Sequence, residues 1–134
     1  RVYHMTLVVA DIERISDHAE NIVEYEAQLR SQKVELSQEA LSELQRLAEL
    51  SLDSVQLCLE IFAQEDYERL QEAENLEDLV DDTQDAIIQN HVKRLMTAAC
   101  NPVGGVVFTD MATDLERCSD HAINIATALS PRPS

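Results

Sequence analysis

Early in the chain, apolar residues recur at steps of three and four. Val8, Ile12, Ile15, Ala19, Ile22 and Val23 fall on one helical face, with Arg14, Glu20, Glu24 and Glu26 on the opposite side. The spacing predicts a helix from about Val2 to Arg30, closed by the polar break Ser31-Gln32-Lys33. A second stripe (Leu41, Leu44, Leu47, Ala48, Leu52, Val55, Cys58, Leu59, Phe62) follows Ser37, a good N-cap with Glu39 in the first turn. It fades at Gln64-Glu65-Asp66, where Asp66 is expected to cap the next helix. Leu70, Ala73, Leu76, Leu79, Val80, Ile87, Ile88, Val92 and Leu95 then predict a helix from about Tyr67 to Ala98. Asn101-Pro102 is a cap followed by proline at the first helical position, a strong start signal. That fourth helix should reach about Leu129, leaving Ser130 to Ser134 as a frayed tail. Four long helices with short links predict an all-α antiparallel bundle.

Composition agrees with helices and narrows the chemistry. The chain holds only 2 Gly and 3 Pro in 134 residues, so it has few places to turn. The 45% apolar content with 4% aromatics favours an aliphatic helical core. A formal charge of −16 repels nucleic acid and anionic lipid and attracts cations or a basic partner. No apolar run is long enough to span a bilayer, so direct membrane insertion is not expected. Cys58, Cys100 and Cys118 are odd in number and form no Cys-x-x-Cys pair, which points to a reducing compartment, with Cys58 and Cys118 as small core residues. The chain begins at Arg1, already within a helical pattern, and is expected to be a piece of a longer polypeptide.

The informative feature is a repeat. Asp11-Ile-Glu-Arg-Ile-Ser-Asp-His-Ala-Glu-Asn-Ile22 and Asp114-Leu-Glu-Arg-Cys-Ser-Asp-His-Ala-Ile-Asn-Ile125 differ at three positions only, so they derive from an internal duplication. Each copy carries two acids four residues apart, Glu13 with Asp17 and Glu116 with Asp120, on one helix face beside the apolar stripe. Like charges at that spacing cost a few tenths of a kcal/mol on a helix. Close to a low-dielectric seam they require a proton or a cation. Glu77 and Asp81 form a third pair in the third helix. If helices three and four pack antiparallel, two pairs face one another as an oxygen-only cage, suited to Mg, Mn, Ca or Fe. Arg14 and Arg117 are expected to pair with Asp11 and Asp114, and His18 and His121 to make orienting hydrogen bonds or buried polar contacts.

The repeated segments resemble the signature of the PhoU family, usually Asp-Leu-Glu-Arg-Ile-Gly-Asp-His-Ala, with Ser16 and Ser119 where the family often has Gly. Glu77-Asp-Leu-Val-Asp81 resembles its second acidic motif. The stretch from His91 through Cys100-Asn-Pro-Val-Gly-Gly-Val-Val-Phe108 is similar to the version in Na/Pi-cotransporter-like proteins, where a membrane transporter is followed by a cytosolic PhoU-like region. The resemblance implies that residues 36–130 form one complete three-helix unit and residues 1–31 the last helix of a preceding unit. It implies that Glu13, Asp17, Glu77, Asp81, Glu116 and Asp120 bind a divalent or trivalent metal ion (Fe, Zn, Mn, Mg or Ca). It further implies a regulatory, non-enzymatic role in phosphate transport and homeostasis. The expected location is the cytoplasmic side of the membrane, with a transporter portion of the same polypeptide or a phosphate transport system as partner. The apolar stripe of the N-terminal helix adds the expectation of a homodimer.

Two other readings compete. A ferritin-like di-metal enzyme would need Glu-x-x-His on two helices. Here Ile15, Ile88 and Cys118 stand three residues before His18, His91 and His121, and no nucleophile constellation or phosphate loop occurs. A metal-free acidic interaction module explains the charge but leaves the repeat unexplained.

Overall fold

The computed structural model describes residues 1–97 and 101–131. Their elements are α1 (Val2–Ser31), α2 (Gln38–Gln64), a 3₁₀ turn (Tyr67–Arg69), α3 (Leu70–Thr97) and α4 (Pro102–Thr127). Helix makes up 89% of the described residues, which contain no strand. Cys100, the expected end of the third helix at Ala98 and the tail from Arg132 to Ser134 lie outside the described residues.

The caps follow local chemistry. Ser37 Oγ accepts the Ala40 N–H at 3.1 Å, and Asn101 Oδ1 accepts those of Val103 and Gly104. Two non-glycine residues take left-handed backbone at helix ends, Lys33 after α1 (φ 56°) and Glu65 after α2 (φ 53°). At these points the sequence lacks the usual glycine stop. The expected cap at Asp66 is corrected: its side chain makes no capping bond, and the chain passes through the 3₁₀ turn before α3 begins at Leu70. Arg69 bridges Glu60 of α2 and Glu72 of α3 and spans this corner.

Side-chain pairs set the topology. Ser51 Oγ donates to the Leu115 carbonyl at 2.6 Å, and the Ser54 and Ser119 hydroxyls bond at 2.9 Å, so α2 and α4 run parallel. α3 runs antiparallel to both, with Arg69 of the preceding 3₁₀ turn reaching Glu60 of α2 at one end and Arg94 reaching Glu43 at the other. α4 is the hub, with α2 and α3 on one side and α1 on another. The core divides into two clusters. One gathers Leu44, Leu47, Val80, Phe108 and Ala112, the other Cys58, Ile61, Leu70, Ala122 and Ala126. Cys58 and Cys118 are buried in the helix seams, as expected.

α1 is where the hydrophobic pattern misleads. Val8 is buried, but Ile12 and Val23 are 47% and 66% exposed, and Ala19 is also exposed. The duplication explains the discrepancy. In α4 the matching positions Leu115, Ala122 and Ala126 face α2 and α3, whereas α1 has only α4 to pack on. Its second apolar wall has no partner among the described residues. On α2, Leu41, Leu52 and Leu59 also lie on the solvent side of their predicted stripe.

This asymmetry makes matched substitutions informative. Ala122→Leu inserts bulk where a closed seam leaves no room and should cost about 1–3 kcal/mol. Its duplicate Ala19→Leu should stay within about 0.5 kcal/mol. Urea unfolding of the two variants measures both, and equal losses would contradict the packing of α1 described above.

Candidate metal centre

The duplicated blocks meet across the α1–α4 seam as a pseudo-twofold pair. His18 Nδ1 lies 2.7 Å from Asp114 Oδ1, and His121 Nδ1 lies 3.2 Å from Asp11 Oδ1. The two imidazoles stack at 5.4 Å, inclined by 17°. Asp11 and Asp114 are buried, and a carboxylate removed from water needs such a donor. The histidines thus make the polar contacts expected of them. The expected Arg117–Asp114 pair is corrected: Asp114 takes His18 from the facing helix, because it lies in the seam while Arg117 points to solvent. Arg14 does approach Asp11, at 3.7 Å.

With the rotation of α4 set by that seam, its carboxylate pair turns toward α3. Carboxylate oxygens of Glu77, Asp81 and Asp120, one from each residue, lie within 4.8 Å of one another, and all three residues are partly buried. Glu116 borders the group, within hydrogen-bonding reach of Asp81 and Asp120 when it carries a proton. Burial, followed by the charges of Asp120 and Asp81, pushes Glu77 up to about 7. Burial and the same two neighbours push Glu116 up to about 8. Asp81 is also raised, chiefly by burial. Its Oδ1 is buried with no hydrogen-bond partner among the described residues, unless Glu116 carries the proton that it shares with Asp81.

The residues present fit a hard cation. An ion with oxygen ligands at about 2.0–2.6 Å places opposite oxygens roughly 4–5 Å apart, a span comparable to that already present. The donor set is oxygen only, which suits Mg, Mn, Ca or Fe better than zinc. The pair Glu13 and Asp17 does not join this group. Glu13 and Asp17 are exposed on α1, which packs on α4 and makes no substantial contact with α3. The buried Asp–His cross-pairing was not foreseen. Its signal was already present, since Asp and His recur with identical spacing in both copies, but partner choice depends on how the copies face each other.

Fold and site together define an acidic helical bundle built on an internal duplication, with clustered carboxylates at a helix seam. Residues 44–129 match the PhoU domain, well over half of the chain, and the chain belongs to the PhoU family. It is 30% identical over 115 residues to the phosphate-specific transport system accessory protein PhoU homolog 1 of Thermotoga maritima. That match covers 86% of this chain and 49% of the relative, so the chain spans about half the relative's length. No solved structure matches it significantly.

The raised carboxyls fix the sign of the pH response. Without metal, Glu77 and Glu116 hold protons in the folded state that the unfolded chain releases near 4.5. Their contribution is therefore fully present below about pH 4.5 and is lost as pH rises through about 7 to 8. Metal-free protein should melt several degrees lower at pH 8.5 than at pH 5.5, and Glu116→Gln should flatten that slope. A calorimetric pH series on both proteins checks the sign.

Proposed function

We propose that this chain is a non-catalytic, metal-binding regulatory module of phosphate transport, carried on the cytoplasmic side of the membrane by a transporter portion of the same polypeptide. The observation that carries the metal role is the convergence of Glu77, Asp81 and Asp120 from two helices around the buried Asp81 Oδ1. The phosphate role draws on family membership and on the printed name of the Thermotoga maritima relative. The transporter link draws on the similarity of the stretch from His91 to Phe108 to Na/Pi-cotransporter-like proteins. No helix among the described residues is long and apolar enough to cross a membrane, so any anchoring would come from that attached portion.

In this reading Glu77, Asp81 and Asp120 hold the ion, and Glu116 joins them once its proton is displaced. The ion supplies charge neutralisation across the α3–α4 seam. The residues themselves perform no bond-making step: they fix the relative rotation of α3 and α4 and couple it to metal occupancy. The duplicate acids Glu13 and Asp17 belong to a second site of the same kind. It would be completed by an α2–α3-like hairpin of a preceding unit laid on the exposed face of α1. The exposed face of α1, which carries Ile12 and Val23, would alternatively be covered by a second copy, giving a homodimer.

Thermal melts of protein stripped of metal and then supplied with Mg, Mn, Ca, Fe or Zn test the first claim. A saturating ion should stabilise the fold by a free energy that grows with its concentration over Kd, about 2.7 kcal/mol at a hundredfold excess, seen as a rise in melting temperature. Asp81→Asn and Asp120→Asn should remove most of that rise, whereas the exposed control Glu20→Gln should keep it. Equal responses in all four proteins would dismiss the site and favour a metal-free interaction module. In cells, phosphate uptake by the attached transporter should be misregulated by Asp81→Asn and unchanged by Glu20→Gln.

The dimer is tested by light scattering. Wild-type protein should run as a dimer, and Ile12→Glu, which puts a charge on the exposed face, should render it monomeric. A wild-type protein that stays monomeric at every concentration rejects the dimer without touching the metal site.

A further inference from the structure

At the end of the bundle that holds the starts of α2 and α4, the two helix N-termini and the end of α3 enclose a cavity of about 390 Å³. Leu36, Ala40 and Phe108 give it an apolar floor, while Ser37, His91 and Arg94 supply polar groups. Both helix dipoles present their positive ends here. His91 is only 8% exposed, and its imidazole has no hydrogen-bond partner among the described residues. Its ring stacks on Phe108 at 4.9 Å and packs so close to Gly105 that a Cβ there would lie 3.3 Å from Cε1. Gly105 thereby lets this ring reach the cavity. An imidazole has a donor and an acceptor to satisfy, and those of His91 are left to water or a ligand in the cavity.

Arg94 is already shared between two acids of different standing. Glu43 holds Nη1 at 2.7 Å, is half-buried, and receives a hydrogen bond from Asn90 at 2.9 Å. Glu39 lies at 3.4 Å from the same nitrogen, and its side chain is 65% exposed. Glu43 is a fixed structural partner. Glu39, exposed and outside the cavity lining, is the exchangeable partner of Arg94.

We infer that this cavity binds a small oxyanion head, a carboxylate or a phosphate, which accepts the His91 ring N–H and displaces Glu39 from Arg94. Binding is weak, on the order of millimolar, because Glu35 at the rim and the displaced Glu39 both oppose it. The remaining acids count for less, since charges beyond about 8 Å are largely screened at physiological salt. Burial and the neighbouring Arg94 hold the His91 pKa below its ordinary value, so near neutral pH the ring is uncharged and one nitrogen carries the donor proton.

Nitrogen-15 NMR of the histidine rings in metal-free protein tests this. Inorganic phosphate and acetate are titrated separately, with sodium chloride at matched ionic strength as the reference. The His91 ring and Gly105 amide signals should move saturably with at least one oxyanion and not with chloride; comparing phosphate with acetate identifies which head group the cavity takes. Glu39→Gln removes the competing carboxylate without touching the core and should tighten binding about threefold. His91→Asn should abolish the saturable Gly105 shift while helix content is retained. If neither oxyanion moves His91 beyond chloride, or if Glu39→Gln leaves the apparent Kd unchanged, the anion site is refuted. The assay uses no metal and none of the carboxylates at the α3–α4 seam, so its failure is distinct from failure of the proposed metal role.

Discussion

Two buried aspartates hold the molecule in register. Asp11 and Asp114 lie in the α1–α4 seam, each answered by the histidine of the opposite copy, His121 and His18. Removing either histidine would leave a carboxylate without its donor in a low-dielectric seam, which costs far more than an exposed pair contributes. The pairing is crosswise, so it fixes both the slide of α1 along α4 and the rotation of each helix. Everything that matters on α4 depends on that rotation. Ser119 meets Ser54, Ala122 enters the core, and Asp120 faces α3.

The same geometry explains the tension at the carboxylate group. Helix packing that buries Val80 and Ala122 brings Glu77, Asp81, Asp120 and Glu116 together, although their charges oppose it. Without a cation the cluster relieves itself by holding protons, which is why Glu77 and Glu116 are pushed far above the ordinary carboxyl range. Protons and a metal ion are alternative answers to one electrostatic demand. Occupancy by one would displace the other, so the metal binding proposed above would depend on pH through the bundle's own packing.

The duplication also separates what a helix is from where it is placed. α1 and α4 carry nearly the same motif, yet Ala19 is exposed and Ala122 fully buried. The common face, Val8 with Asp11 and Met111 with Asp114, is buried in both because each helix is the other's partner. The remaining face is buried only in α4, which has α2 and α3 against it. A hydrophobic stripe states that a helix can be covered on that side, and the presence of cover is a separate fact.

The four helices, the caps at Ser37 and Asn101, the internal repeat and the three acidic pairs were all legible in the residues, because each depends on neighbours within a few positions. The positions where the reading failed depend on distant partners or on a missing local stop. Asp66 did not cap, since the chain bends through Glu65 in left-handed backbone and a 3₁₀ turn. Asp114 took His18 in place of Arg117. Ile12 and Val23 remained in solvent. Sequence by itself determined the helical periods and which side chains share a face, through covalent spacing and the 3.6-residue turn. Only the tertiary structure decided which faces meet. It joined Glu77 and Asp81 to Asp120 while leaving Glu13 and Asp17 apart, because contact between helices is settled by packing and by the pairing of buried charge across the seam.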